Sequence, residues 1–200
     1  MPILVEDAWL PAVLTVGPMS DDAFEAFVNE HPDLFFEMTA SGELIIMPPA
    51  HSKTGARNAK IVSQLNTWAE QDEGGTAFDS STGYVLPNRA RRSPDASWVA
   101  NDRIRSLPPR EQDRYYHLAP DFAIDLRSDT DRLTTLREKM REYTDNGTPL
   151  AWLIDPMRRV VEIYRTGREP EVRKDPRTIE GEGPVAGFVL NLQRVLEPIG

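Results

Sequence analysis

Proline cuts this chain into short pieces. Seventeen of 200 residues are proline, well above the usual ~5%, and they stand mostly between apolar runs. A proline lacks the backbone N–H and fixes φ, so it closes one element or opens the next. The runs at 34–38, 43–47, 95–100, 121–126, 150–154 and 160–164 are too short for helices and suit buried strands. A longer run at 77–86 also reads as a strand, and 188–190 as a last short one. Ser41-Gly42 joins 34–38 to 43–47 as a hairpin. Ser20 is an N-cap ahead of Phe24 and Phe27, which predicts a helix over 20–30 ended by His31-Pro32. Two longer segments have a helical period. Ile61, Leu65 and Trp68 make one face of 53–71, and Leu133, Leu136, Met140 and Tyr143 make one face of 130–145. Gly74-Gly75 and Asn146-Gly147 stop them. A short helix is expected over 109–116. The order of elements predicts an α/β (α+β) fold, a mixed sheet with helices packed on it. Residues 1–19 read as an irregular arm and 20–200 as one domain.

Composition narrows the function classes. With no cysteine, the chain has no disulfide scaffold, thiolate metal site or cysteine nucleophile. No apolar run approaches the ~20 residues that span a bilayer, so no membrane partner is expected. The first residues lack a basic n-region and carry acids, which argues against a signal peptide and for a cytoplasmic protein. Net charge is −9, whereas a whole-surface nucleic-acid binder is usually basic. Any such binding must rest on a local patch. Between Arg89 and Arg114 there are seven arginines against four acids, which leaves +3 there and −12 over the remainder. That segment is either a solvated loop or a rim that faces an anion.

The common catalytic motifs are missing or incomplete in this sequence. There is no Walker-type phosphate loop and no G-x-S-x-G elbow. Gly181 to Gly187 matches a dinucleotide fingerprint only loosely, contains Pro184 and follows no strand. His31, His51 and His117 are too far apart to form a zinc-helix pair, and nothing nominates a serine for a triad.

Carboxylates on apolar strands remain. Asp125 lies inside Phe122-Ala123-Ile124-Asp125-Leu126, where an unpaired charge is expensive. Pro94-Asp95 sets a second acid at the mouth of an apolar strand, and Glu37 follows Phe35-Phe36 on a third. Lys139 falls about 80° from the centre of its helix's apolar stripe, at the border of the buried face. Each has a bland reading: a polar strand face for Asp125, a turn or cap for Asp95, a solvated strand side for Glu37, a snorkelling side chain for Lys139. Together they are the parts of an oxygen site for a hard cation, Mg2+ or Mn2+, with an amine nearby. Such a site hydrolyses phosphodiesters.

In this order, Phe35-Phe36-Glu37, the His51 region opening a long helix, Phe78-Asp79-Ser80-Ser81-Thr82-Gly83 and Ser93-Pro94-Asp95 form an extended pattern. It continues through Pro120 to Ser128, Lys139-x3-Tyr143-x3-Gly147 and Trp152-Leu153-Ile154-Asp155-Pro156. The set resembles the Uma-two family of restriction endonucleases, within the PD-(D/E)xK nuclease superfamily, over about residues 20–190. The resemblance implies a restriction-endonuclease-like mixed β-sheet core flanked by helices and a metal-dependent endonuclease that cleaves DNA. It matches Asp95 to the family's first acid, Asp125 to the second, which is more often Glu, and Glu37 to an additional one. All three would be metal ligands or catalytic groups. The superfamily lysine falls at Arg127, which cannot act as a base. Lys139 then supplies the amine from the helix, helped by Arg127. Arg89, Arg91 and Arg92 are expected to overhang the site and hold the DNA backbone. A homodimer would suit double-strand cleavage, although no sequence feature demands one. The alternative is a catalytically inactive nuclease-fold module that binds or regulates.

Overall fold

The structure is a computed structural model that describes residues 11–47, 51–112 and 114–197. Along the chain these form β1 (Ala12–Thr15), α1 (Asp21–Glu30), β2 (Phe35–Met38), β3 (Glu43–Met47), α2 (Ser52–Asp72) and β4 (Gly75–Asp79). Next come β5 (Tyr84–Val85), β6 (Arg91–Arg92), β7 (Ala96–Ala100), α3 (Asn101–Ser106), α4 (Pro109–Gln112) and β8 (Phe122–Leu126). The last are α5 (Leu133–Asp145), β9 (Leu150–Asp155), β10 (Val160–Arg165), β11 (Glu171–Lys174), β12 (Thr178–Glu180), β13 (Val189–Asn191) and α6 (Leu192–Leu196). The fold is α+β, as expected. None of the helices among the described residues is long and apolar enough to cross a membrane.

The central sheet has six strands in the order β11-β10-β9-β8-β7-β4. Only β8 and β9 run parallel, with Phe122 opposite Leu150 and Leu126 opposite Ile154. A parallel pair needs a crossover, and α5 is that crossover, so it must lie across a sheet face. Alternation sorts the side chains. Phe122, Ile124, Leu126, Trp152 and Ile154 pack with Ile61 and Leu65 of α2. Ala123, Ala151 and Leu153 pack on the other face with Met140 and Tyr143 of α5. Trp152 stacks on Phe188 at 5.9 Å and meets Phe122 edge-on at 4.7 Å. A smaller five-stranded sheet, β1-β3-β2-β6-β5, packs its apolar residues with Phe24 of α1.

Several expectations are corrected. Within the expected arm, Ala12–Thr15 is an edge strand on β3, too short to announce a period in sequence. Residues 1–10 lie outside the described residues. The single strand over 77–86 is two, in different sheets. Asp79 Oδ1 accepts from the Ser81 N–H at 3.0 Å, so the acid turns the chain there and β5 resumes at Tyr84. The helix expected over 109–116 covers only Pro109–Gln112, while α3 starts directly after β7. Strands β11 and β12 were not expected, being short and polar.

Helix α5 is clamped to the sheet by Arg137, whose guanidinium donates through Nε to both oxygens of Glu162 at 3.1 and 2.9 Å. The Tyr164 hydroxyl donates to the same carboxylate at 2.8 Å. Burial alone would raise the Glu162 pKa, but the Arg137 and Tyr164 hydrogen bonds outweigh it and hold it below the usual carboxylate range. A depressed carboxylate stabilises the fold above its unfolded pKa of about 4.3, and that contribution is lost as the pH falls through the folded value. Arg137→Met is therefore expected to lose about 1–3 kcal/mol at pH 7. In urea titrations between pH 7 and 3, the deficit should shrink below pH ~4. A deficit independent of pH would mean that lost packing, not the ion pair, is responsible.

Candidate active site

In the β7–β8 ladder Ala96 lies opposite Ile124, and one step further the same register sets Asp95 opposite Asp125. Each acid is held by the other's strand. The Asp95 N–H donates to Asp125 Oδ1 at 3.3 Å, and the Leu126 N–H donates to Asp95 Oδ2 at 2.7 Å. From α2, Asn58 Nδ2 donates to Asp95 Oδ1 at 2.7 Å. The expected polar face of β8 is covered by α5, so Asp125 is only 3% exposed.

Lys139 comes down from α5 onto this pair. Its Nζ lies 2.7 Å from Glu37 Oε1 and 3.0 Å from Asp125 Oδ2, and donates to the Ser93 carbonyl at 3.4 Å. The Tyr143 ring lies 5.8 Å from the same nitrogen. Burial would lower the Lys139 pKa, but Asp125 and Glu37 outweigh it and raise it well above the ordinary value. Lys139 is thus a fixed ammonium. Glu37 Oε1 also accepts from the Ser93 N–H at 3.0 Å, while Arg92 Nη1 donates to its Oε2 at 3.0 Å. Burial pushes Glu37 up, yet Lys139 and Arg92 win and hold it low. Burial and the neighbouring Asp125 push Asp95 up to about 7, against the hydrogen bonds from Leu126 and Asn58. Asp125 is raised as well, by burial and by Glu37, against the pull of Lys139.

Charge is unevenly matched in this network. Arg92 serves Glu37 and Glu142, and Lys139 serves Glu37 and Asp125. With Glu37, Glu142, Asp125 and Asp95 all ionised, the two cations leave −2, of which Asp95, held only by dipolar hydrogen-bond partners, adds one. Asp125 Oδ2 and Asn58 Oδ1 are buried acceptors without a hydrogen-bond donor; Lys139 is close to the former without the alignment of a hydrogen bond. Two donor-free oxygens beside the Asp95 carboxylate, in a network short of positive charge, fit a hard divalent cation, which commonly takes one or two protein carboxylates and completes its shell with water and phosphate. Glu37, expected among the ligands, has both oxygens engaged by cations. Accordingly, no cluster of three His, Asp or Glu residues suited to a metal occurs among the described residues. Asp95, Asp125, Lys139 and Asn58 line a cleft of about 700 Å3, together with His51 and Thr54.

The expected arginines are elsewhere. Arg127 follows the last residue of β8 and donates through Nη1 to Asp155 Oδ2 at 2.8 Å and through Nε to the Asp131 carbonyl at 3.3 Å. It braces the strand ends and does not line the cleft. Arg91 and Arg92 are neighbours on a two-residue strand, so they point to opposite faces, and both are buried. Arg91 Nη2 donates to Asp21 Oδ1 at 2.6 Å, and its guanidinium lies 4.8 Å from the Phe24 ring centre. Arg92 holds Glu37 and Glu142. Only Arg89, at φ 70°, is well exposed, at 70% of its side chain. These buried arginines cannot present a surface to DNA. Asn58 was missed in the sequence because an asparagine within a long helix carries no signal of its own. Its partner Asp95 is 37 residues away.

Asp95→Asn removes one of two abutting charges and keeps an oxygen for the Leu126 N–H. The new amide can donate to Asn58 Oδ1 if that side chain flips. In EDTA at pH 8 this variant is expected to melt several degrees above the native chain, as relief of about 1 kcal/mol or more does in a domain of this size. Lys139→Met, which strands Asp125 beside Glu37, should lose about 3–5 kcal/mol. A destabilised Asp95→Asn in thermal melts would show that the two carboxyls do not repel each other.

Comparison with known proteins agrees with this architecture. A structure described as a putative nuclease belonging to DUF820 from Anabaena variabilis superposes with a TM-score of 0.74 at 24% sequence identity, over 90% of this chain and 98% of that one. At that identity the likeness establishes the fold. No curated protein matches. The sequence model of the Uma2 (Uma-two) family, described as "Putative restriction endonuclease", matches residues 21–193. That span takes in every element from α1 to the start of α6, and the chain belongs to the Uma2 family.

Proposed function

We propose that this protein is a metal-dependent endonuclease that hydrolyses DNA phosphodiester bonds. One observation carries the reading: a buried pair of acids from adjacent strands, short of positive charge, sits against a fixed ammonium in an open cleft. Asp95 and Asp125, with Asn58 beside them, would hold Mg2+ or Mn2+. When bound, that cation supplies Lewis-acid polarisation of a phosphoryl oxygen and an acidified water. Lys139 stays protonated, so it is no proton acceptor. It places a full positive charge where negative charge develops on the phosphoryl oxygens, the kind of preorganised stabilisation that needs no rearrangement during reaction. Glu37 is a positioning residue: it takes one of the ammonium's donors, while Arg92 keeps Glu37 ionised. Arg127 has no part beyond bracing the strand ends. The family's endonuclease description and the nuclease-like neighbour support this reading.

The test follows metal and chemistry separately. Mg2+ or Mn2+ is expected to raise the melting temperature of the native chain with a saturating dose response, as a ligand of the folded state must. Asp95→Ala should abolish that shift. Nicking of supercoiled plasmid should require the metal and fall at least ~100-fold in Asp95→Ala, Asp125→Ala and Lys139→Met. Glu37→Gln should lower kcat while leaving the metal-induced shift intact. DNA binding that survives EDTA and Asp95→Ala, with no cleavage under any metal, would instead identify a catalytically inactive nuclease-fold binding module.

A further inference from the structure

The acidic surface of this protein has one long interruption. From Leu44 to Ala69 there is no aspartate or glutamate, and within that span stand Lys53, Arg57 and Lys60. All three lie on α2. At about 100° per residue they fall within roughly 60° of one another and form a single ridge. Its centre is about 100° around the helix from the stripe of Thr54, Asn58, Ile61 and Leu65. The first two of those line the cleft, and the last two are buried in the core. The ridge therefore runs beside the cleft, one helix face away from Asp95's partner.

Unlike Arg91, Arg92 and Arg127, these cations have no ion-pair partner among the described residues. Lys53 is exposed, Arg57 and Lys60 are half-buried, and Arg57 Nε is a buried donor with no acceptor. Gln64, next along the same ridge, accepts from the Asn191 N–H at 2.8 Å, so the ridge ends where β13 docks. From Lys53 to Lys60 it spans about 10 Å, room for about three successive phosphates of one DNA strand.

We infer that Lys53, Arg57 and Lys60 form the phosphate-backbone contact of duplex DNA, the role the sequence had suggested for Arg89, Arg91 and Arg92. The inference rests on the nuclease reading for its partner but uses none of the catalytic residues. Three unpaired positive charges, on a helix that also contributes to the cleft, suit a polyanion whose scissile bond must reach Asp95 and Asp125. They position the duplex without reading bases.

The test measures binding of a fluorescent 30-base-pair duplex to the full chain in EDTA, across salt concentrations. A second measurement follows metal-dependent hydrolysis of bis(p-nitrophenyl) phosphate, which is too small to touch the ridge. The triple variant Lys53→Ala, Arg57→Ala, Lys60→Ala is expected to weaken duplex binding at least about tenfold at 100 mM salt and to reduce the log–log salt slope by roughly 2–3. Its hydrolysis of the small diester should stay within about twofold of native. The double variant Lys53→Ala, Lys60→Ala, which keeps the half-buried Arg57, should show about two-thirds of the slope change. Lys174→Ala on the far edge strand should leave the slope unchanged. Native-like affinity and slope in the triple variant would overturn the inference, as would a native chain that does not bind duplex DNA at all. A native chain that binds through the ridge but hydrolyses neither substrate would overturn the nuclease reading and leave the ridge standing.

Discussion

A buried ammonium between two buried carboxylates ties three parts of this molecule together at one point. Lys139 belongs to the crossover helix, Asp125 to the six-stranded sheet and Glu37 to the five-stranded one. Each of the three would be costly to bury alone. Together they compensate, and the compensation fixes how the two sheets and α5 meet. Arg92 extends the same logic, since its guanidinium bridges Glu37 to Glu142 on α5. A buried ion network is weak evidence for net stability, but removing one member leaves the others exposed to the full desolvation penalty. The arrangement is therefore intolerant of change at any single member, whatever its net contribution to folding.

The placement of the ammonium follows from topology. Strands β8 and β9 are parallel neighbours, so the chain between them must cross one sheet face, and a helix is the compact way to do it. Met140 and Tyr143 seat that helix on Ala123, Ala151 and Leu153. The residue one step before Met140 then lies at the border of the seat, over the end of β8 where Asp125 stands. The strand alternation that buries Ile124 on one face delivers Asp125 to the other. The second acid arrives by register: an antiparallel partner strand entered through Pro94 brings Asp95 level with Asp125.

The arginines show how charge in a sequence misleads. Arg89, Arg91 and Arg92 cluster within four positions just ahead of Asp95, which looks like a basic rim. A strand sends adjacent residues to opposite faces, so Arg91 and Arg92 serve two different interiors, one against Asp21 and Phe24 and one against Glu37. Their partners come from 50 to 70 residues away. Cations on α2 are spaced more widely, yet helical period gathers them on one ridge. Whether a charge is free depends on what the fold brings to it.

The sequence by itself determined the helices with strong apolar periods and the proline-bounded strands, because side-chain pattern and turn chemistry are local. It also singled out Asp95, Asp125, Glu37 and Lys139, since an acid in an apolar run and a lysine at a stripe's edge are visible without a fold. It could not show the strands at 12–15, 171–174 and 178–180, which are held by pairing and carry little pattern of their own. Nor could it show that Glu37 is taken by cations, that Arg127 braces strand ends, or that Asn58 reaches Asp95. Those are decided by which side chains meet across long separations in a low-dielectric interior, where a carboxylate's role depends on the nearest charge, and only the packed structure brings that charge within 3 Å.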